Sequence, residues 1–209
     1  PVDGRGATRA ADPRPQIAVG RTSYTYYPDT QTVPANAAAN VMHRPHSITA
    51  DVDIPKGGAE GALLSHGDVQ GGYAFYVQNG KLHYVYNYVG VHFSHVESTV
   101  PVPEGRHKLR FEFELTGKPD VRGGKGAPGR GQLYIDGKLV GQADIPLTMA
   151  VMIGICGGVV CGADTGSPVW DKYQPPFKFT GTLYSVTVGV SGELIVDDEQ
   201  VMKVIMARQ

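Results

Sequence analysis

Residues 71–91 read GGYAFYVQNGKLHYVYNYVGV, two alternating runs on either side of Asn79-Gly80. A two-residue type I′ turn needs φ > 0 at both central positions, and Asn followed by Gly meets that need at least steric cost. The turn sets the register. Val77 faces Leu82, Phe75 faces Tyr84 and Tyr73 faces Tyr86, so six apolar and aromatic residues share one side of a hairpin. The other side takes Ala74, Tyr76, Gln78, Lys81, His83, Val85 and Asn87. One apolar face and one mixed polar face describe a half-buried antiparallel hairpin.

Similar patterns recur outward from this hairpin. In Ser47–Ile54, SITADVDI, Ile48, Ala50, Val52 and Ile54 alternate with Thr49, Asp51 and Asp53. Ala62–Ser65 forms a short strand before the loop HGDVQGG, and His92–Val100 forms another, stopped by Pro101 and Pro103. His107–Leu115, HKLRFEFEL, buries Leu109, Phe111, Phe113 and Leu115 and exposes Lys108, Arg110, Glu112 and Glu114. In QLYIDGKLVG, Asp136-Gly137 repeats the Asn-Gly turn chemistry. Thr22–Tyr27 is a first strand and Phe179–Val190 a last one, after the long loop ADTGSPVWDKYQPPF. Residues 1–20 lack periodicity and read as a linker or extended arm; 21–190 form the β domain. The tail, 191–209, reads as a helix, with Asp197 as cap, Gln200 at the capping-box position and an apolar stripe of Val201, Val204 and Ile205.

The 209 residues suffice for one large β domain that buries roughly 70% of its unfolded surface without a staple. A formal net charge of −1 argues against nucleic acid as a partner. No apolar run is long enough to span a membrane and no export signal is visible, so the compartment stays undecided. With 28 glycines and 15 prolines, the composition suits short strands and tight turns. About ten strands and no fixed-period repeat indicate an all-β, antiparallel sandwich.

Several phrases together resemble one family. SITADVDIPKGGAEGALLSHGDVQGGYAFYVQNGKLHYVYNYVGV, then PEGRHKLRFEFEL, LYIDGKLVG, DTGSPV and FTGTLYSVTV are similar, in that order, to the C-terminal region of large bacterial arylsulfatases. The likeness covers about residues 22–190. It implies a concanavalin A-like jelly-roll sandwich with a short C-terminal helix, partnered by a sulfatase catalytic domain that holds a divalent cation, Ca²⁺ or Mg²⁺. The family's nucleophile is a Cys or Ser followed two residues later by Pro and four later by Arg. Cys156 is followed by Gly158 at that place and Cys161 by Ala163, and no Ser fits the pattern. The implied role is an accessory domain without catalytic residues or a cofactor of its own, shaping the site of a domain absent from this chain. A stand-alone lectin-like carbohydrate-binding module is the alternative, since YIDGKLVG is common in laminin G-like and concanavalin A-like sandwiches.

Four groups of residues carry candidate chemistry. Tyr76, His83 and Asn87 combine a flat ring with neutral hydrogen-bonding groups on one hairpin face, which suits a glycan or the surface of a neighbouring domain. Glu112 and Glu114 point the same way from one strand and are candidates for a glycosidase pair, against simple pairing with Lys108 and Arg110. Asp164 and Asp171 flank a loop with Ca²⁺-binding potential or ordinary turn chemistry. His43 with His46, and His92 with His95, are spaced three apart, which on a strand points them to opposite faces and argues against a shared metal. Cys156 and Cys161 read as small apolar residues, with a local disulfide as the alternative.

Overall fold

The structure is a computed structural model describing residues 20–154 and 157–192. Nearly all of the expected arm and C-terminal helix, and Cys156, lie outside the described residues. Those residues form β1 (Ser23–Tyr26), β2 (His46–Ile54), β3 (Gly61–Asp68), β4 (Gly71–Gln78), β5 (Lys81–Tyr88) and β6 (His92–Pro101), followed by β7 (Gly105–Leu115), β8 (Gly129–Ile135), β9 (Lys138–Ile145), β10 (Val159–Cys161) and β11 (Thr182–Val190). Two antiparallel sheets result, one ordered β1-β11-β2-β7-β8-β9 and the other β10-β3-β4-β5-β6. The fold is an all-β sandwich, and no helix among the described residues is long and apolar enough to cross a membrane.

The central hairpin pairs as its turn dictates: Tyr73 with Tyr86, Phe75 with Tyr84 and Val77 with Leu82. Asn79 and Gly80 have φ of 51° and 71°, and Asp136 and Gly137 have 50° and 80°. Each strand contributes its apolar alternation to the space between the sheets. Ile48 and Ala50 of β2 meet Phe111 and Leu109 of β7 in register, and Val52 is buried beside them. Across the core, Tyr84 of β5 stacks on Phe111 with ring centroids 3.5 Å apart and planes 7° apart. At one corner the sheets meet closely, where Thr99 Oγ1 of β6 donates to the Val140 carbonyl of β9 at 2.9 Å.

β10, three residues long, extends the second sheet beyond β3. One feature differs from the sequence reading: the mixed face of the hairpin is covered rather than open. Ala62, Ala74, Tyr76 and Val85 form a second apolar cluster with Val169 and Tyr173, and Trp170 and Phe177 pack against it. The loop ADTGSPVWDKYQPPF supplies that cover, so β3, β4 and β5 of the five-stranded sheet are buried on both faces.

Candidate functional site

The covering loop is held by buried polar groups. Asp164 Oδ2 accepts the Val169 amide at 2.9 Å and the Tyr173 hydroxyl at 2.5 Å. Burial pushes the Asp164 carboxyl above its ordinary range, although both hydrogen bonds pull the other way. Asn87 Nδ2 donates to the carbonyls of Asp68, Val69 and Val169, and its Oδ1 accepts from the Gly90 amide. One amide thereby ties the β3–β4 turn, the β5–β6 turn and the loop together.

The expected ligand face is accordingly corrected. Tyr76 and Asn87 have 0% exposure and His83 has 6%, so neither ring nor amide meets solvent. Tyr76 and His83 do come together, stacked at 4.9 Å, while Asn87 serves the turns. His83 stacks in turn on His95 at 5.2 Å, and Trp170 of the loop lies 4.7 Å from the His95 ring. His95 is thus partnered with His83 across strands, and His92 is exposed.

The remaining candidates separate. Asp164 faces a hollow of about 270 Å³ lined also by Ser65, Asp68, Thr165 and Ser167. Asp171 is not in that lining; its side chain is 77% exposed beside Lys172. His43 bridges loops, with Nε2 2.7 Å from the Ala150 carbonyl and Nδ1 accepting from the Ala127 amide. His46 stacks on Phe113 at 5.1 Å, and burial lowers its pKa to about 4. Cys161 is a buried free thiol whose pKa burial pushes up to about 12, the opposite of a reactive cysteine. Glu112 forms an ion pair with Arg110, and Glu114 faces Arg130 in register. This is the charge ladder the alternating sequence offers, although Arg130 itself bonds Asp144.

The outer face of the six-stranded sheet is different. Its strands stand in a register that aligns side chains in transverse rows. One row runs Ser23, Gly189, Ser47, Glu112, Gln132, Gln142 across all six strands. The next runs Thr25, Thr187, Thr49, Arg110, Tyr134, Leu139. Arg106 grips Asp51 with two bonds of 3.1 and 2.9 Å at one side, and Arg130 reaches Asp144 at 3.4 Å at the other. Between them opens a groove of about 500 Å³ lined by Ser47, Arg110, Glu112, Glu114, Gln132 and Gly189, among others. Gly189 makes a low point in its row: a Cβ there would meet only Ser47 Oγ, at 3.1 Å. Hydroxyls, a side-chain amide, a guanidinium and the partly exposed ring of Tyr134 are therefore presented together on a flat surface.

No protein-family model and no curated protein matches the sequence. Among solved structures, the chain is similar to the carbohydrate-binding module, CBM40, of the Ruminococcus gnavus IT-sialidase bound to α2,3-sialyllactose. That likeness has 14% identity over 78% of this chain and 83% of that one, with a TM-score of 0.48. It is also similar to a heptameric SAP-like pentraxin of Limulus polyphemus, with 14% identity over 87% and 81% of the two chains and a TM-score of 0.45. Domains LG4-5 of the mouse laminin α1 chain share 11% identity over 85% of this chain and 41% of that one, with a TM-score of 0.47. These are likenesses of overall architecture alone.

Ser47, Gln132, Gly189 and Glu97 escaped the sequence reading. For the first three the signal was present but scattered, because each lies on a separate strand and only the register gathers them. Glu97 stands two residues after His95 on the same strand face, and only the register brings it opposite His83 as well.

Proposed function

We propose that this chain is a non-catalytic, lectin-like recognition module that binds a hydroxyl-rich saccharide on the outer face of the six-stranded sheet. One observation carries the reading: the chain covers β3, β4 and β5 of one sheet with its own loop and leaves the outer face of the other sheet as an open groove of about 500 Å³ lined with hydrogen-bonding side chains. Sugars are recognised by neutral donors and acceptors for hydroxyls and by flat rings for their apolar faces. Ser47 and Gln132 supply the first and Tyr134 the second. Arg110 adds a cation for a carboxylate or sulfate substituent.

The test is calorimetric titration with neutral, carboxylated and sulfated oligosaccharides. Binding is expected from at least one class, weakened about tenfold by Gln132→Ala, equivalent to about 1.4 kcal/mol for a lost hydrogen bond. Gly189→Val is expected to fill the groove and abolish binding. Absence of binding throughout, or full affinity in Gly189→Val, removes the proposal.

A second reading is supported by the ordered phrases that resemble arylsulfatase C-terminal regions, which fall on β2–β5, β7–β9, the covering loop and β11. In that case the domain belongs to a sulfuric ester hydrolase, and the open sheet face docks its catalytic domain. An immunoblot of the native gene product against this domain separates the two. A band several times heavier than 22.3 kDa favours the sulfatase reading, and a band of that mass favours the independent module.

A further inference from the structure

On the opposite sheet, His83, His95 and Glu97 bring three ligand atoms within 4.8 Å of one another. We propose that these three side chains bind a divalent transition-metal ion of the zinc class, with one coordination position left to solvent.

The arrangement comes from the strand register. Glu97 of β6 stands opposite His83 of β5, and His95 lies two residues back on the same face of β6. His83 Nε2 is 3.0 Å from the Gln78 carbonyl, which has no proton to give, so this nitrogen carries the proton and donates. Nδ1 of the neutral ring is therefore a bare lone pair. It faces His95 Nε2 at 3.0 Å. Two ligands on a tetrahedral zinc, each about 2.0–2.1 Å from the metal, stand about 3.3 Å apart, so the two nitrogens are nearly at coordination spacing already. Metal binding replaces the single proton that the two nitrogens share; His95 then carries its one N–H on Nδ1 instead of Nε2, by exchange with solvent, and both rings stay neutral.

The third ligand is available. Lys81 pairs with Glu97 Oε1, leaving Oε2 free to face the imidazoles, 3.9 Å from His83 Nδ1. The Glu97 side chain is 42% exposed, so it can move the few tenths of an ångström needed and mark the entry side. The Gln78 carbonyl fixes the ring orientation of His83, the outer-shell role that metal-binding histidines ordinarily require. Two imidazoles and one carboxylate suit zinc or copper(II) and disfavour calcium, which takes six or more oxygens.

The protein carries its own reporter. Trp170, the single tryptophan, lies against His95 at 4.7 Å. Paramagnetic Cu²⁺ at the site should quench its fluorescence, and Zn²⁺, which does not quench, should relieve that effect by competition. The experiment titrates the metal-free chain with CuCl₂, then with ZnCl₂, and repeats both on His95→Ala, Glu97→Gln and His92→Ala. The expected result is saturation at one equivalent of Cu²⁺ and reversal by Zn²⁺. His95→Ala should lower affinity at least about tenfold, since loss of a direct ligand exceeds loss of an outer-shell partner. Glu97→Gln, on an exposed side chain, should weaken binding while leaving the metal-free unfolding midpoint in place, and His92→Ala should change nothing. Unsaturable quenching, undiminished affinity in both His95→Ala and Glu97→Gln, or equal loss in His92→Ala overturns the site. The saccharide reading concerns the other sheet and stands or falls independently.

Discussion

The Tyr173 hydroxyl donates to the Asp164 carboxylate at 2.5 Å, both groups buried, and through that contact the loop after β10 is fastened over the five-stranded sheet. A hydrogen bond to a charged group contributes about 1.5–3 kcal/mol. Tyr173→Phe is therefore expected to lower unfolding free energy in urea by that amount and to speed amide exchange in residues 164–178. Unchanged exchange in that segment would show that the loop is held by its apolar contacts alone.

Acid should weaken the fold before its carboxylates titrate. His46 and His66 are buried with pKa values lowered to about 4, because desolvation penalises the imidazolium. Their neutral forms favour the folded state. The stability they contribute is thus complete above the unfolded value of about 6.5 and is lost as pH falls from there to about 4, by roughly 3 kcal/mol each at most. His107, raised by its bond to Asp136, works in the opposite sense. Urea midpoints should hold level from pH 7.5 to about 6.5 and fall from there to pH 4.5, and His66→Gln should flatten that fall. A midpoint independent of pH across that window contradicts the account.

Phe111→Ala removes one ring of the Tyr84–Phe111 stack, which joins the two sheets at 0–1% exposure. The expected cost is about 3–5 kcal/mol, from lost burial plus the cavity left behind. Denaturant unfolding monitored by circular dichroism reads it directly.

Two hairpin glycines should respond differently. At Gly80 an added Cβ meets nothing within 4 Å, so Gly80→Ala costs only the left-handed strain of about 1–2 kcal/mol. At Gly72 the same atom would sit 2.1 Å from the His66 carbonyl oxygen, a backbone clash that no rotamer relieves. Gly72→Ala is expected to lower the melting temperature much more than Gly80→Ala, and equal effects would refute the close packing of β3 on β4.

Much of the fold was legible because an Asn-Gly turn and period-two alternation are local. Tyr73 opposite Tyr86 follows from the turn alone, and Leu109, Phe111 and Phe113 declare their side of β7 by sequence. What alternation leaves open is whether the outward face meets water or another part of the chain. Tyr76 and Asn87 looked like surface residues because Val169, Tyr173 and Phe177, which cover that face, lie in an aperiodic segment about ninety residues away. The pairing of His83 with His95 was hidden for a related reason. It depends on the register of β5 against β6, which runs unbroken from Tyr88 opposite His92 to His83 opposite Glu97, and no Asn-Gly signal marks the turn that sets it.

The pairing of β1 with β11 has a mechanical side. Ser23 lies opposite Gly189 and Tyr26 opposite Val186, so the chain arrives at and departs from the same end of one antiparallel ladder. Tension applied through these two strands loads the ladder bonds one after another, like a zipper, rather than all at once in shear, because antiparallel hydrogen bonds lie perpendicular to the strands. Four residue pairs are then the whole of the first resistance. Pulled by its ends, this sandwich should open at a low force from the β1 edge, while the hairpin at Asn79-Gly80 stays folded.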